Sequence, residues 1–431
     1  MKRTLASAII ASHSSESAKE GDICNVKVDF AFANDITAPP AIKAFKEMGA
    51  SHVFDPKRCA VLPDHFTPNK DIASAQQVKV SRIFAKEQGM LYWEVGRVGV
   101  EHAFLPEQGQ ILPGEIVLGA DSHTCTGGAL GAFATGMGST DLAAAWALGE
   151  TWLRVPPTIK VNFEGTPPPW IVGKDLILAL LGIIGTQGAR YQALEFHGTA
   201  VKALTMDDRF TISNMAVEGG AKAGIFVPDE TMLKYAKERA VRPFNPIYPD
   251  EGANYAREVD IDVSVLKPLV AAPSSPANAR PAEDCSDVKI DQVFIGSCTN
   301  GRLTDIEMAA KVLKGRSVHD DVRLIVIPAS YEVYNAALEK GYIDTFVRAG
   351  AAVCTPTCGP CLGGHLGILA EGEVCVSTSN RNFVGRMGHP KSALYLAGPL
   401  VAAASAVTGR VTDPREVLSS DELQSLRGEV R

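Results

Sequence analysis

At 431 residues the chain is too long for one ordinary domain, so two or three are expected. Hydrophobic residues at 46% and charged residues at 21% give a globular, soluble balance that excludes long disorder. A net charge of −7 with no block of Lys or Arg argues against nucleic acid as a partner, while small anionic substrates stay open because local arginines matter more than the total.

The first eleven residues hold an apolar run broken by Thr4 and Ser7, which reads as an amphipathic first helix rather than a signal peptide. Further along, apolar strand candidates run straight into polar clusters. Val61-Leu62 leads into Asp64-His65, and Ile116-Val117-Leu118 leads into Asp121-Ser122-His123. The Gly-rich run 126–138 has neither a phosphate-loop pattern nor Gly-x-Gly-x-x-Gly and reads as close backbone packing. A helix-like segment follows at 140–148, and prolines at 156–157 and 167–169 bracket a short strand-like segment. In 211–218, Asn214 lies one helical turn before Glu218. The stretch 268–287, rich in Pro, Ala, Ser and Asn, reads as a linker. Beyond it, Val293-Phe294-Ile295 leads into Gly296-Ser297-Cys298-Thr299-Asn300, Ala351-Ala352-Val353 into a cysteine cluster, and Val374-Cys375-Val376 into Ser377-Thr378-Ser379-Asn380-Arg381. The apolar stretch 394–407 is too short to span a membrane and contains Gly398 and Pro399, so a cytoplasmic protein is expected.

This alternation predicts an α/β chain with substantially parallel sheets, divided into domains 1–155, 156–284 and 285–431. Ligands of such sheets sit beyond the carboxyl ends of strands. Five polar loops in those places are expected to converge on one site.

Nine scattered cysteines, an odd number in a large chain, disfavour a disulfide framework and leave thiolates for metal in a reducing compartment. Cys354, Cys358 and Cys361 lie within eight residues. That spacing is open to structural zinc, with Cys298 or His365 as a further ligand, to iron–sulfur, to the radical S-adenosylmethionine type, or to plain core thiols. Small residues around Cys298 allow backbone N–H groups to approach a sulfur-rich anion. A 4Fe-4S cube held by only three cysteines keeps one iron open as a Lewis acid.

The segments Gly119-Ala-Asp-Ser-His-Thr124, Phe294-Ile-Gly-Ser-Cys-Thr-Asn-Gly301, Pro356-Thr-Cys-Gly-Pro-Cys-Leu-Gly-Gly364 and Ser377-Thr-Ser-Asn-Arg-Asn-Phe-Val-Gly-Arg386 together resemble the aconitase superfamily. Within it they are most similar to the shorter large subunits of two-chain hydro-lyases acting on 3-isopropylmalate and homoaconitate. The resemblance covers essentially the whole chain. It implies three α/β domains packed around one 4Fe-4S cluster per subunit, without the fourth, swivelling domain of single-chain aconitases.

By that resemblance the cluster ligands are Cys298, Cys358 and Cys361, and Cys354 is not one. Asp64 with His65, His102 with Asp121, and His123 with Glu218 match acid–base pairs. Asn34, Ser122, Asn214, Arg381 and Arg386 match substrate-binding positions. A carboxylate beside an imidazole fixes its tautomer and raises its pKa, and planar guanidinium groups suit carboxylates. The implied reaction is reversible loss of water from a small hydroxy di- or tricarboxylate. 3-Isopropylmalate ranks first, ahead of homocitrate or homoaconitate and methylmalate-type acids including 2,3-dimethylmalate. The resemblance further implies a separate small swivel-domain subunit, in a heterodimer or heterotetramer, that supplies the base and the substrate-recognition loop. The competing class is a non-catalytic regulatory protein bearing a metal or cluster, which the acidic pI of about 5.8 disfavours.

Overall fold

The computed structural model describes residues 2–16 and 18–426. Residues 1, 17 and 427–431, and with them the two ends of the expected outer domains, lie outside that description. The chain forms two compact units, each assembled from separated stretches: 1–162, 189–198 and 213–260 in the first, 163–188, 199–212 and 261–431 in the second. The segment expected as a middle domain, 156–284, is thus distributed over both.

The core of the first unit is a five-stranded sheet in the order Leu91–Tyr92, Cys59–Leu62, Phe30–Asn34, Ile116–Gly119, Phe133–Gly136, parallel throughout. Its central strands are short apolar runs buried along their whole length, as a sheet covered on both faces requires. The chain leaves Phe30–Asn34 toward one edge and later returns to place Ile116–Gly119 on its other side. A crevice opens at the carboxyl ends of strands where the order reverses in this way. A four-stranded sheet holds Ala223–Phe226, Ala193–His197, Thr158–Glu164 and Arg257–Asp262 in that order. The proline-bracketed segment is therefore a strand, as expected. The first helix, Leu5–Ser12, is capped by the Thr4 side chain.

The second unit is built on a seven-stranded sheet. Its parallel part runs Ala393–Ala397, Val374–Ser377, Gln292–Ile295, Arg323–Val326, Ala352–Val353. Numbered by chain position, this is the same strand order as in the first unit, with its reversal between Gln292–Ile295 and Val374–Ser377. The expected linker 268–287 is a correction. It supplies two strands, Leu269–Ala271 and, at the sheet edge, Ala279–Pro281, which extend the sheet in antiparallel fashion. Prolines are tolerated at such an edge because only one side of the strand needs donors. No helix among the described residues is long and apolar enough to cross a membrane.

The Gly-rich run begins in a 3-10 helix, Ser122–Leu130, buried from His123 on, and continues into the strand Phe133–Gly136. A Cβ on Gly128 would stand 1.9 Å from the carbonyl oxygen of Gly224, so only glycine lets this backbone lie against the neighbouring strand. Close packing is the use of this run, as expected. Gly128→Ala should cost about 1–3 kcal/mol, the usual range for overpacking. Chemical denaturation followed by circular dichroism measures it, and an unchanged midpoint contradicts the packing role.

Candidate acid–base cluster and candidate metal centre

In the first unit, three loops at the carboxyl ends of adjacent strands bring their side chains together. Asp35, next after the strand Phe30–Asn34, is fully buried, and its carboxylate accepts the N–H groups of Asp64, His65 and Phe66 at 2.8–2.9 Å. This fixes the second loop on the first. His65 Nδ1 then lies 2.6 Å from Asp64 Oδ1, while Asp64 Oδ2 accepts the backbone N–H of Glu101 at 2.7 Å. Glu101 opens the short helix Glu101–Glu107, where backbone N–H groups have no helical partner and favour a carboxylate.

Asp121 is the hub. Its side chain caps the 3-10 helix by accepting His123 N–H at 2.8 Å, and the same Oδ1 lies 2.8 Å from His102 Nε2 and 3.4 Å from His123 Nδ1. Its other oxygen is 4.0 Å from His65 Nε2. On its far side the His123 ring meets Glu218 through Nε2 at 3.0 Å. Glu218 sits in the tight turn Met215–Gly219 and is buried, so it is not a solvated helix-face carboxylate. All six expected acid–base residues, Asp64, His65, His102, Asp121, His123 and Glu218, thus belong to one linked cluster.

Charge is distributed unevenly across it. Burial opposes ionisation of Asp121, but bonds to His102 and His123 outweigh this and hold its carboxyl well below the usual range. Burial also opposes a charge on His65, yet the Asp64 carboxylate wins and keeps the imidazole protonated well above its ordinary pKa. His102 goes the other way, since burial favours its neutral form even beside Asp121. Burial, with Asp64 and Asp121 nearby, pushes Glu101 well up and keeps it neutral. Two histidines in one cluster are thus shifted in opposite directions by their surroundings.

The expected substrate-side residues are placed differently. Asn34 Oδ1 accepts from Ile36 N, Thr37 N and the Thr37 hydroxyl, and its amide nitrogen binds Glu101 at 3.0 Å. It positions Glu101. Asn214 is buried, and its amide donates to the Thr126 hydroxyl at 2.8 Å. Ser122 is partly exposed, with its hydroxyl 3.5 Å from His123 Nδ1. Asp35 and Glu101 carry no expectation from the sequence, although each adjoins a residue singled out there.

In the second unit the cysteine loops gather. Cys298, Cys358 and Cys361 are buried, while Cys354 is partly exposed with its thiol toward the carbonyl of Ala352. One amide spans two of the three thiols: Asn380 Nδ2 donates to Cys298 Sγ at 3.5 Å, and Asn380 Oδ1 lies 3.6 Å from Cys361 Sγ. The Ser297 hydroxyl is 3.8 Å from Cys298 Sγ and donates to Cys361 Sγ at 3.7 Å. Ser297 reaches both from a left-handed backbone, φ 73°, a conformation costly for a residue with a Cβ. Arg386 reaches Cys361 Sγ at 4.0 Å, and Arg381 leaves the same loop.

Ligands of one zinc ion lie about 3.8 Å apart, as 2.3 Å Zn–S bonds in a tetrahedron dictate. Among the described residues no three ligand atoms that include these thiols lie within 4.8 Å of one another. The hydroxyl, amide and guanidinium groups gathered on these sulfurs are a donor set that fits a sulfur-rich cluster. Hydrogen bonds to the sulfurs from Asn380, Ser297 and Arg386 are what such a cluster uses to set its properties.

The aconitase family model (aconitate hydratase) matches residues 7–286 and 278–409. The chain is 57% identical over 420 residues to the 3-isopropylmalate dehydratase large subunit of Moorella thermoacetica, covering 97% of this chain and 100% of that protein. It is 56% identical over 422 residues to 3-isopropylmalate dehydratase large subunit 1 of Pyrococcus abyssi, with the same coverage. Among solved structures, holo aconitase X from Thermococcus kodakaraensis matches with a TM-score of 0.47 at 12% identity, over 94% of this chain and 90% of that one.

Asp64→Asn should lower the His65 titration midpoint, followed by its ring resonances in NMR. Because the folded pKa is raised, the stability this histidine contributes is complete below the unfolded value of about 6.5. It fades as pH rises through the folded value. An unmoved His65 midpoint in the variant rules out Asp64 as the cause.

Proposed function

The chain belongs to the aconitase family, and on that premise we propose that it is the large, cluster-carrying subunit of 3-isopropylmalate dehydratase. This hydro-lyase interconverts 2- and 3-isopropylmalate by removing and restoring water, a step of leucine biosynthesis. The observation that carries the reading is the set of three buried thiols, two of them spanned by the Asn380 amide, in a chain that matches relatives of this name along their full length.

Cys298, Cys358 and Cys361 would hold a 4Fe-4S cluster. When bound, it supplies a Lewis-acidic iron for a hydroxyl and a carboxylate. Arg381 and Arg386 are the carboxylate-binding side chains, their planar donors matched to two oxygens at once. His65 carries a proton held by Asp64 and is the acid for the departing hydroxyl. His102 is neutral, oriented by Asp121, and takes up or returns a proton as the direction of reaction demands. Glu218 fixes the His123 ring from one side while Asp121 fixes it from the other. Asn34 and Asn214 support these groups, and Ser122 is the more exposed hydroxyl available to substrate.

The base that removes the carbon-bound proton, and the loop that recognises the isopropyl group, come from a separate small subunit. The large-subunit names of the relatives support this. Nine cysteines, none in a disulfide, support a reducing setting such as the cytoplasm.

Two measurements test the reading. Anaerobically reconstituted Cys298→Ser should lose its iron and sulfide, whereas Cys354→Ser should keep both. The opposite pattern sinks the ligand assignment. The loaded chain co-expressed with its small subunit should hydrate and dehydrate isopropylmalates, with activity on the chain alone lower by about 100-fold or more, since the base is missing. Full turnover by the isolated chain contradicts the split.

A further inference from the structure

Lys174 has no part in the chemistry above, yet it is among the largest fully buried side chains of the protein. It is the second residue of the helix Gly173–Ile184, whose N-terminus adds a partial positive charge at the same place. A lysine without exposure normally ends on a carboxylate. Here Nζ donates instead to the backbone carbonyls of Thr378 at 2.9 Å and Ser379 at 2.8 Å.

Those two residues lead directly to the thiol-bridging amide of Asn380. The Thr378 hydroxyl also accepts Gly296 N–H at 2.9 Å and lies 3.0 Å from the Gly296 carbonyl, tying this loop to the one that carries Cys298. Gly296 has no room for a side chain: a Cβ would stand 2.7 Å from the carbonyl oxygen of Ile327 and 2.8 Å from the Phe294 ring. Lys174 therefore anchors a rigid stretch that fixes both cysteine loops.

Its electrostatic surroundings lack a committed counter-ion. Burial pushes the Lys174 ammonium down to about 7, with Asp305, Cys298, Cys361 and Asp175 pulling the other way. Burial in turn pushes Asp305 up to about 8 and Asp175 up to about 7. The Cys298 and Cys361 thiols are also among the groups it senses. A cluster on three thiolates is a buried anion in both its oxidised and reduced forms, and buried anions require a partner.

We propose that Lys174 is a positioning residue and the buried counter-charge of the cluster, holding the 377–380 loop in place and favouring the more negative, reduced form. The inference rests on the ligand assignment under Proposed function. Removing a nearby positive charge lowers a cluster's reduction potential, because net charge is one of the quantities that set it.

The test uses the cluster-loaded full chain with Lys174→Arg, Lys174→Gln and Lys174→Met, each checked for native circular dichroism. The midpoint potential is read by EPR during titration with dithionite, and cluster loss by the bleaching of visible absorbance in air. Gln and Met should both shift the midpoint to more negative values, Met should lose its cluster about tenfold faster, in line with supporting-residue effects at metal sites, and Arg should recover most of the wild-type potential. The proposal is overturned if folded Gln and Met variants titrate with the wild-type midpoint, or if Arg is displaced as far as Met, which leaves packing as the only role. A wild-type chain that takes up no iron–sulfur overturns the ligand assignment and the proposal with it, and is distinguished by its lack of any EPR signal on reduction.

Discussion

The Asp121 carboxylate is the interaction on which the imidazole cluster of the first unit depends. It touches three imidazoles from three different loops, at 2.8 Å for His102, 3.4 Å for His123 and 4.0 Å for His65. Asp121 is only partly buried, and its contacts with these rings and with the His123 N–H link the loops into one arrangement. Asp35 does the same one layer back, binding three backbone N–H groups that no side chain of the site could otherwise hold still. The result is an imidazole shifted up beside Asp64 and one shifted down by burial beside Asp121. Opposite shifts arise from the same residue type because their surroundings differ.

The second unit solves a different problem with the same topology. Both parallel cores place their order reversal at the strands that carry chemistry: Phe30–Asn34 and Ile116–Gly119 in one, Gln292–Ile295 and Val374–Ser377 in the other. In each, the reversal leaves a crevice at the carboxyl ends where loops can reach one another. The first fills it with carboxylates and imidazoles. The second fills it with thiols, the amide of Asn380 and a hydroxyl held in a strained backbone at Ser297. Strain at Ser297 is stable because Thr378 and the close packing at Gly296 leave no alternative path for that loop.

Particular residues mark the limit of what a linear reading resolves. The strand-then-polar-loop pattern located Asp64, His65, Asp121, His123 and the cysteines, since a short apolar run followed by a polar turn has a local signature. Glu101 and Asp35 escaped because their importance lies in what they bond across the fold, and neither has a distinctive neighbour pattern. Asn34, a substrate-side position by resemblance, has its amide engaged by Thr37 and Glu101, which only the folded chain shows. The stretch 268–287 has a linker's composition, yet sheet edges accept proline and alanine as readily as linkers do.

Composition and strand alternation by themselves pointed to the α/β class and to the loops after strands, and the resemblance of four motifs to a known family supplied the candidate ligands and acid–base residues. These properties reside in short stretches, where neighbouring residues act through local geometry. Tertiary structure alone decided which histidine is shifted up, which thiols a single amide can bridge, and that a lysine near the start of a helix lies under the cysteine loops. Those outcomes depend on burial and on distances between residues up to two hundred positions apart, quantities set only when the chain has folded.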